Sequence, residues 1–163
     1  MLPAVLALLL STSPSGALIE MTRSLGDAGV LPKSDAVLQE IAVQALSPSF
    51  ERSADAPLDV EQWRSADGRC FADFGPAGKI AYGCRFASAV EGGIFLRSAA
   101  MALAHPLHPP FPADTSDEMH HRALMTIDRA LVGAEFHLVR EGDEWIAAVI
   151  LTPGRRTVMV WPR

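Results

Sequence analysis

Positive charge and long apolar runs are both scarce in this sequence. Lys and Arg number 14 against 19 Asp and Glu, which leaves a formal net charge of −5 at pH 7. The arginines are scattered among carboxylates, and the basic pair Arg155-Arg156 is short. Because nucleic-acid binding needs a basic face that neutralises phosphates, we expect no nucleic-acid partner.

Charged side chains are absent from the first 17 residues. Leu2 to Leu10 form an apolar run that is too short to cross about 30 Å of hydrocarbon as a helix but has the length of a signal-peptide core. Ser15 and Ala17 supply the small residues of a cleavage site after Ala17. We therefore predict a signal peptide over 1–17, a periplasmic or secreted protein, and no stable membrane span after processing. A buried N-terminal helix or strand is the alternative.

Cysteine is equally scarce, since the chain has only Cys70 and Cys84. They enclose a Gly-Pro-Ala-Gly turn sequence at 75–78. Antiparallel partners keep a constant sum of residue numbers, so pairing Phe74 with Ile80 places Cys70 opposite Cys84. This register predicts a structural disulfide, which contributes about 3 kcal/mol in the chain-entropy model. A redox role or a zinc site is less favoured, because neither a C-x-x-C pair nor a further ligand set accompanies the two cysteines.

Local patterns predict two helices and a connection in the first two thirds of a single domain over 18–163. Ser34 or Asp35 can cap a helix whose apolar residues recur at helical spacing up to Leu46, and Ser47-Pro48 ends it. The stretch from Ser49 to Gly68 has no regular period and is predicted to be a surface connection anchored by Trp63. An alanine-rich apolar segment, Ile94 to Ala104, predicts a short buried helix, with a buried strand as the alternative because almost every position is apolar.

The C-terminal third predicts a helix followed by strands. Thr115 and Glu118 match a capping box, and the apolar period after them predicts a helix to about Val132. The remaining residues predict a three-stranded meander. The fold class is therefore α+β, with an antiparallel sheet (the disulfide hairpin plus the C-terminal meander) packed against two or three helices. The predicted meander strands are Ala134–Arg140, Trp145–Thr152 and Thr157–Trp161.

One short segment resembles a known family. In the strand–turn–strand from Leu138 to Ile146, Trp145 follows a charged turn, and this looks like the end of NTF2-like domains. The resemblance implies a curved sheet and helices that enclose a small-molecule pocket. Such a pocket would be lined by Phe136, Trp145 and Trp161, although ordinary core packing explains the same aromatics.

Four of the five histidines lie within the segment 105–121. Imidazole is a ligand for zinc, nickel and copper, and the prolines of this segment would hold a loop in a fixed shape. The candidate metal ligands are His105, His108 and His120. His121 would point about 100° away from His120 on a helix, and no H-E-x-x-H pair is present. The alternative is a solvated loop with one histidine at the edge of the core.

No catalytic constellation stands out, because no serine lies in a G-x-S-x-G turn and no glycine loop matches a phosphate-binding pattern. We therefore expect an exported, non-catalytic binding or accessory module without a cofactor, whose partner is an unidentified protein or small molecule. The alternatives are a metal-binding protein or metal-dependent hydrolase that uses His105, His108 and His120, and the small-molecule pocket of NTF2-like shape.

Overall fold

The computed structural model describes residues 13–27, 35–103, 118–127 and 130–153. Within these ranges, three α-helices accompany a seven-stranded sheet in the order β1-β2-β3-β4-β7-β6-β5. Every neighbouring pair of strands is antiparallel. The predicted α+β class is confirmed. The helices are α1 (Pro14–Asp27), α2 (Asp35–Leu46) and α3 (Ala89–Leu103); the strands are β1 (Phe50–Arg52), β2 (Glu61–Ser65), β3 (Cys70–Phe74), β4 (Ile80–Phe86), β5 (Met119–Ile127), β6 (Ala130–Glu141) and β7 (Glu144–Pro153).

The disulfide hairpin has the predicted register. Cys70 pairs with Cys84, and Phe74 pairs with Ile80 across a 3₁₀ turn. The two cysteines form a disulfide, and their Cα atoms are 4.1 Å apart. The next backbone hydrogen bond, from the Arg85 N–H to the Arg69 carbonyl, is the one expected beside a narrow, non-hydrogen-bonded pair. The turn and the constant index sum were enough to define this hairpin.

The helices lie on one face of the sheet, where α1 and α3 contact the strands and α2 packs against α1 and the β3–β4 turn. Alternate residues of β3, β4, β6 and β7 are buried, and they belong to the same face because the register pairs them across neighbouring strands. Tyr82 and Phe136 are the largest completely buried side chains of this layer. The core therefore lies between the helices and a single side of the sheet.

The predicted helix from Thr115 to Val132 is wrong. Residues 119–127 form β5, which pairs with β6 through nine consecutive partners from Met119↔Leu138 to Ile127↔Ala130. The apolar residues of this segment satisfy a two-residue period as well as a helical one. Pairing with β6 satisfies the backbone groups of β5 and extends the sheet, so tertiary contacts override the local helix signal.

Two of the three predicted meander strands are present as β6 and β7, and β5, where a helix was predicted, precedes them in an antiparallel meander. The predicted strand Thr157–Trp161 lies outside the described residues. Within the described ranges, β7 has β4 on one edge and β6 on the other.

The stretch 49–68 is more regular than predicted, because it contains β1 and β2. Trp63 is buried, and its indole N–H donates to the Glu61 carboxylate at 3.1 Å. The aromatic anchor is therefore confirmed, but it lies on a strand. Strands of three and five residues are too short for the alternation of apolar and polar residues to be recognised in the sequence.

An N-terminal helix, α1, includes the predicted cleavage position. Ala17 and Leu18 are both buried in the core, and the Ser13 hydroxyl accepts the Gly16 N–H at the helix start. The signal peptide stays a prediction, and cleavage after Ala17 would remove this first turn. Among the described helices, none is both long and apolar enough to cross a bilayer.

Candidate functional site

The face of the sheet opposite the helices, which we call the open face, carries an apolar patch. No described helix packs against it, because the strand residues that face the helices alternate with the residues of the open face. The patch is contiguous because β7 contributes three alternate residues, of which Ile150 pairs with Ala81 on β4 and Ile146 with Val139 on β6. Phe71 of β3 joins them through its partner Gly83, which pairs with Ala148 of β7. All its members are partly exposed: Phe71, Ala81, Val139, Ile146, Ala148 and Ile150.

One row of paired residues crosses the middle of the open face through all seven strands. Its centre, Gly83 beside Ala148, has almost no side-chain bulk. A Cβ on Gly83 would collide with the carbonyl oxygen of Ala147, so close strand packing requires glycine there. The full row is Glu51, Arg64, Phe71, Gly83, Ala148, His137 and His120.

Ion pairs surround the apolar patch. The Arg64 guanidinium lies 2.6 Å from the Asp73 carboxylate and also over the Phe71 ring. Arg85 pairs with Glu141 at 3.1 Å, and Arg69 pairs with Glu144 at 3.6 Å. All these residues have the parity of the open face. We call the charged residues around the patch its rim. Because Glu51, Glu118 and Glu135 add further carboxylates to these ion pairs, the described part of the rim has more acidic than basic side chains.

At the far end of the row, His120 and His137 form a close pair. The register places them directly opposite each other on β5 and β6. Their Nδ1 atoms are 2.7 Å apart, and their rings meet edge to face with centroids 5.0 Å apart. His120 is exposed and His137 is partly buried. At this distance, one ring donates its Nδ1–H to the other.

The predicted metal ligands are only partly placed. His105 and His108 lie outside the described residues. His120 is on a strand instead of a helix, and His121 follows it at the register position opposite the buried Phe136, so the two histidines belong to opposite faces. In the described ranges, no group of three or more His, Cys, Asp or Glu side chains is placed to hold a metal ion.

His137 was missed by the sequence analysis. Its strand was predicted, but its partner could not be identified while His120 was assigned to a helix. The signal that could have found it is the alternation of residues 119–127, which fits a strand beside a second predicted strand.

Two of the three aromatic residues predicted to line a small-molecule pocket belong to the core or pack against it. Phe136 is completely buried, and Trp145 is partly buried against the same core. Trp161 lies outside the described residues. A cleft of about 280 Å³ lies elsewhere, between α2, the β1–β2 connection and the β3–β4 turn; its lining includes Gln39, Arg52, Leu58, Glu61 and Lys79.

The shifted pKa values have structural causes. Complete burial raises the pKa of the Tyr82 phenol, which hydrogen-bonds to Thr22. The Ser65 hydroxyl, followed by the Arg69 N–H, donates to the Asp67 carboxylate and lowers its pKa. The Asp67 contacts organise the β2–β3 turn. Neither group forms a pair of nucleophile and base of the kind that hydrolysis requires.

Comparison with known proteins adds no relative, since no family model, curated protein or solved structure matches the chain. The resemblance to NTF2-like domains therefore rests on the Leu138–Ile146 hairpin alone.

Proposed function

We propose that this chain is an exported, non-catalytic binding domain that holds a partner protein against the open face of its sheet. The observation that carries the proposal is the partly exposed apolar patch on a face that no described helix covers. Contiguous exposed apolar surface marks interaction sites on soluble proteins.

The shape of the open face favours a protein over a small molecule. The seven strands are three to twelve residues long, about seven on average, and lie about 4.8 Å apart, which gives a projected area of roughly 800 Å². This area matches the ~800 Å² that each partner buries in a standard protein interface. A small-molecule site would instead be concave and enclosed.

The charges of the open face indicate the chemistry of the partner. Its described arginines, Arg64, Arg69 and Arg85, each pair with a carboxylate, and additional carboxylates remain around them. A complementary partner has an apolar centre and a basic rim. Such a rim speeds association and selects the partner more than it strengthens binding.

The disulfide and the N-terminal apolar run support the exported half of the proposal. Disulfides persist in oxidising compartments such as the periplasm and the extracellular space. The test is fractionation of the native host with N-terminal sequencing. A chain that begins at Leu18 in the exported fraction supports the proposal, and a reduced, unprocessed chain in the cytoplasm contradicts it.

Site-specific photocrosslinking tests the partner. A crosslinking residue at Ala148, in the centre of the patch, is compared with one at Met101, which is exposed on the opposite side of the molecule. We expect one discrete heterologous adduct from position 148, which forms more slowly at high salt and is lost on Ile150→Lys substitution. An adduct of twice the chain mass, the same adduct from both positions, or no adduct contradicts the proposal.

A further inference from the structure

We infer that His120 and His137 form a binding site for Cu²⁺ or Ni²⁺ on the open face. The site differs from the predicted set, because it uses a cross-strand partner on β6 and no residue of the 104–117 segment. The site does not depend on the proposed protein partner, because both of its protein ligands belong to this chain.

The distance between the two imidazoles fits one ion with little movement. Two nitrogens that each lie about 2.0 Å from a metal are about 2.8 Å apart at a right angle and about 3.3 Å apart at a tetrahedral angle. The observed Nδ1–Nδ1 distance is 2.7 Å. The pair therefore matches adjacent positions of a tetragonal site, the geometry of Cu²⁺ and Ni²⁺, better than it matches tetrahedral zinc.

The backbone holds the two ligands in register. His120 and His137 are directly paired within nine consecutive partners of β5 and β6, so their Cβ atoms are fixed about 5 Å apart. His120 is exposed, and among the described residues β5 is the edge strand of the sheet, which leaves room for an ion and its remaining water ligands. Both histidines bind as neutral rings, and the Nδ1 proton that they share moves through solvent to Nε2 of its ring.

The charges beside the pair are mainly negative. Glu118 precedes His120 by two residues, and its carboxylate accepts the Arg140 N–H at 3.3 Å. Glu135 precedes His137 by two residues and therefore shares its face. Arg122 occupies the register position opposite Glu135. On β7 the neighbour of His137 is Ala148, which carries no charge.

The experiment is a Cu²⁺ titration of the untagged, disulfide-bonded chain. Calorimetry measures the affinity and the number of ions bound, and electron paramagnetic resonance identifies the ligands. We expect one ion per chain with two nitrogen ligands in the spectrum. His120→Asn and His137→Asn should each weaken binding at least tenfold, since each removes one of two protein ligands. The matched control is His121→Asn, which should change the affinity less than twofold because its strand position belongs to the other face.

Several outcomes would overturn the site. Equal affinities in wild type, His120→Asn and His137→Asn would mean an adventitious ion only. A tenfold loss in His121→Asn would show binding that does not depend on this pair. Loss in a His105→Asn/His108→Asn variant with unchanged binding in His137→Asn would favour the loop histidines instead. If His137→Asn does not fold, His120→Asn decides the question, because His120 is exposed.

Discussion

Thr22 and Tyr82 form a hydrogen bond inside the core that supports a prediction about non-additive stability. The Thr22 hydroxyl lies 2.7 Å from the Leu18 carbonyl oxygen and 2.7 Å from the Tyr82 hydroxyl. A threonine hydroxyl has one proton, so when it donates to Leu18 the Tyr82 hydroxyl donates to it. Both side chains are completely buried. The bond joins α1 to the centre of the sheet.

Removing the two partners has unequal costs. Tyr82→Phe removes one net hydrogen bond, worth about 1 kcal/mol, and leaves Thr22 bonded to Leu18. Thr22→Val leaves the buried Tyr82 hydroxyl without its acceptor, which costs about 2 kcal/mol in desolvation. The double variant replaces both groups by apolar side chains of similar shape, and we expect a total loss of about 1 kcal/mol. The coupling between the sites is then about 2 kcal/mol.

The assay is urea unfolding under oxidising conditions, followed by circular dichroism, for wild type, both single variants and the double variant. Thr152→Val, at an exposed threonine of β7, is the matched control and should change the free energy of unfolding by less than about 0.5 kcal/mol. Additive losses, or a Thr22→Val variant more stable than Tyr82→Phe, would refute the assigned hydrogen bond.

The buried tyrosine, the disulfide and a strand glycine give three further predictions about stability. Burial raises the pKa of Tyr82, the only tyrosine in the sequence, in the folded state. Its contribution to the free energy of unfolding is therefore fully present below the unfolded pKa of about 10 and falls by about 1.4 kcal/mol per pH unit above it. Tyrosinate absorbance should appear only when the protein unfolds, and the Tyr82→Phe variant should not show this loss of stability with pH. Replacing Cys70 and Cys84 by alanine should lower the free energy of unfolding by about 3 kcal/mol, and an unchanged denaturation midpoint would contradict the structural role of the bridge. Gly83→Ala should lower the free energy of unfolding by about 3 kcal/mol or more, because the new Cβ would collide with the β7 backbone. The control, Gly75→Ala, should be nearly neutral, because the nearest atom to its Cβ is 3.8 Å away. Equal shifts of the melting temperature in the two variants would show that β4 and β7 can move apart.

The features that could be predicted from the sequence are those that local chemistry controls. The α2 helix lies where its cap residues and apolar spacing predicted it, and the buried helix at 94–104 is present as the longer α3, which begins at Ala89. The disulfide register follows from a turn and an arithmetic constraint that involve only residues 70–84. The α+β class followed because these local elements, once assigned, have few ways to bury their apolar faces.

The candidate site depended on information that no local window contains. Residues 119–127 satisfy both a helical and a strand period, and only the presence of β6 as a partner selects the strand. That selection brings His120 to His137, which is 17 positions away along the chain. The helix predicted from Thr115 to Val132 concealed this pair, because a histidine on a helix has no cross-strand partner.

The sequence by itself determined the disulfide hairpin, the α2 and α3 helices and the fold class, because short-range periodicity and turn chemistry encode them. The tertiary structure alone decided that α1 joins the core, that β5 is a strand, and which face of the sheet stays open among the described residues. Strand order and helix placement depend on contacts between distant residues, and the energy of such contacts exceeds local propensity when a segment is suited to both structures.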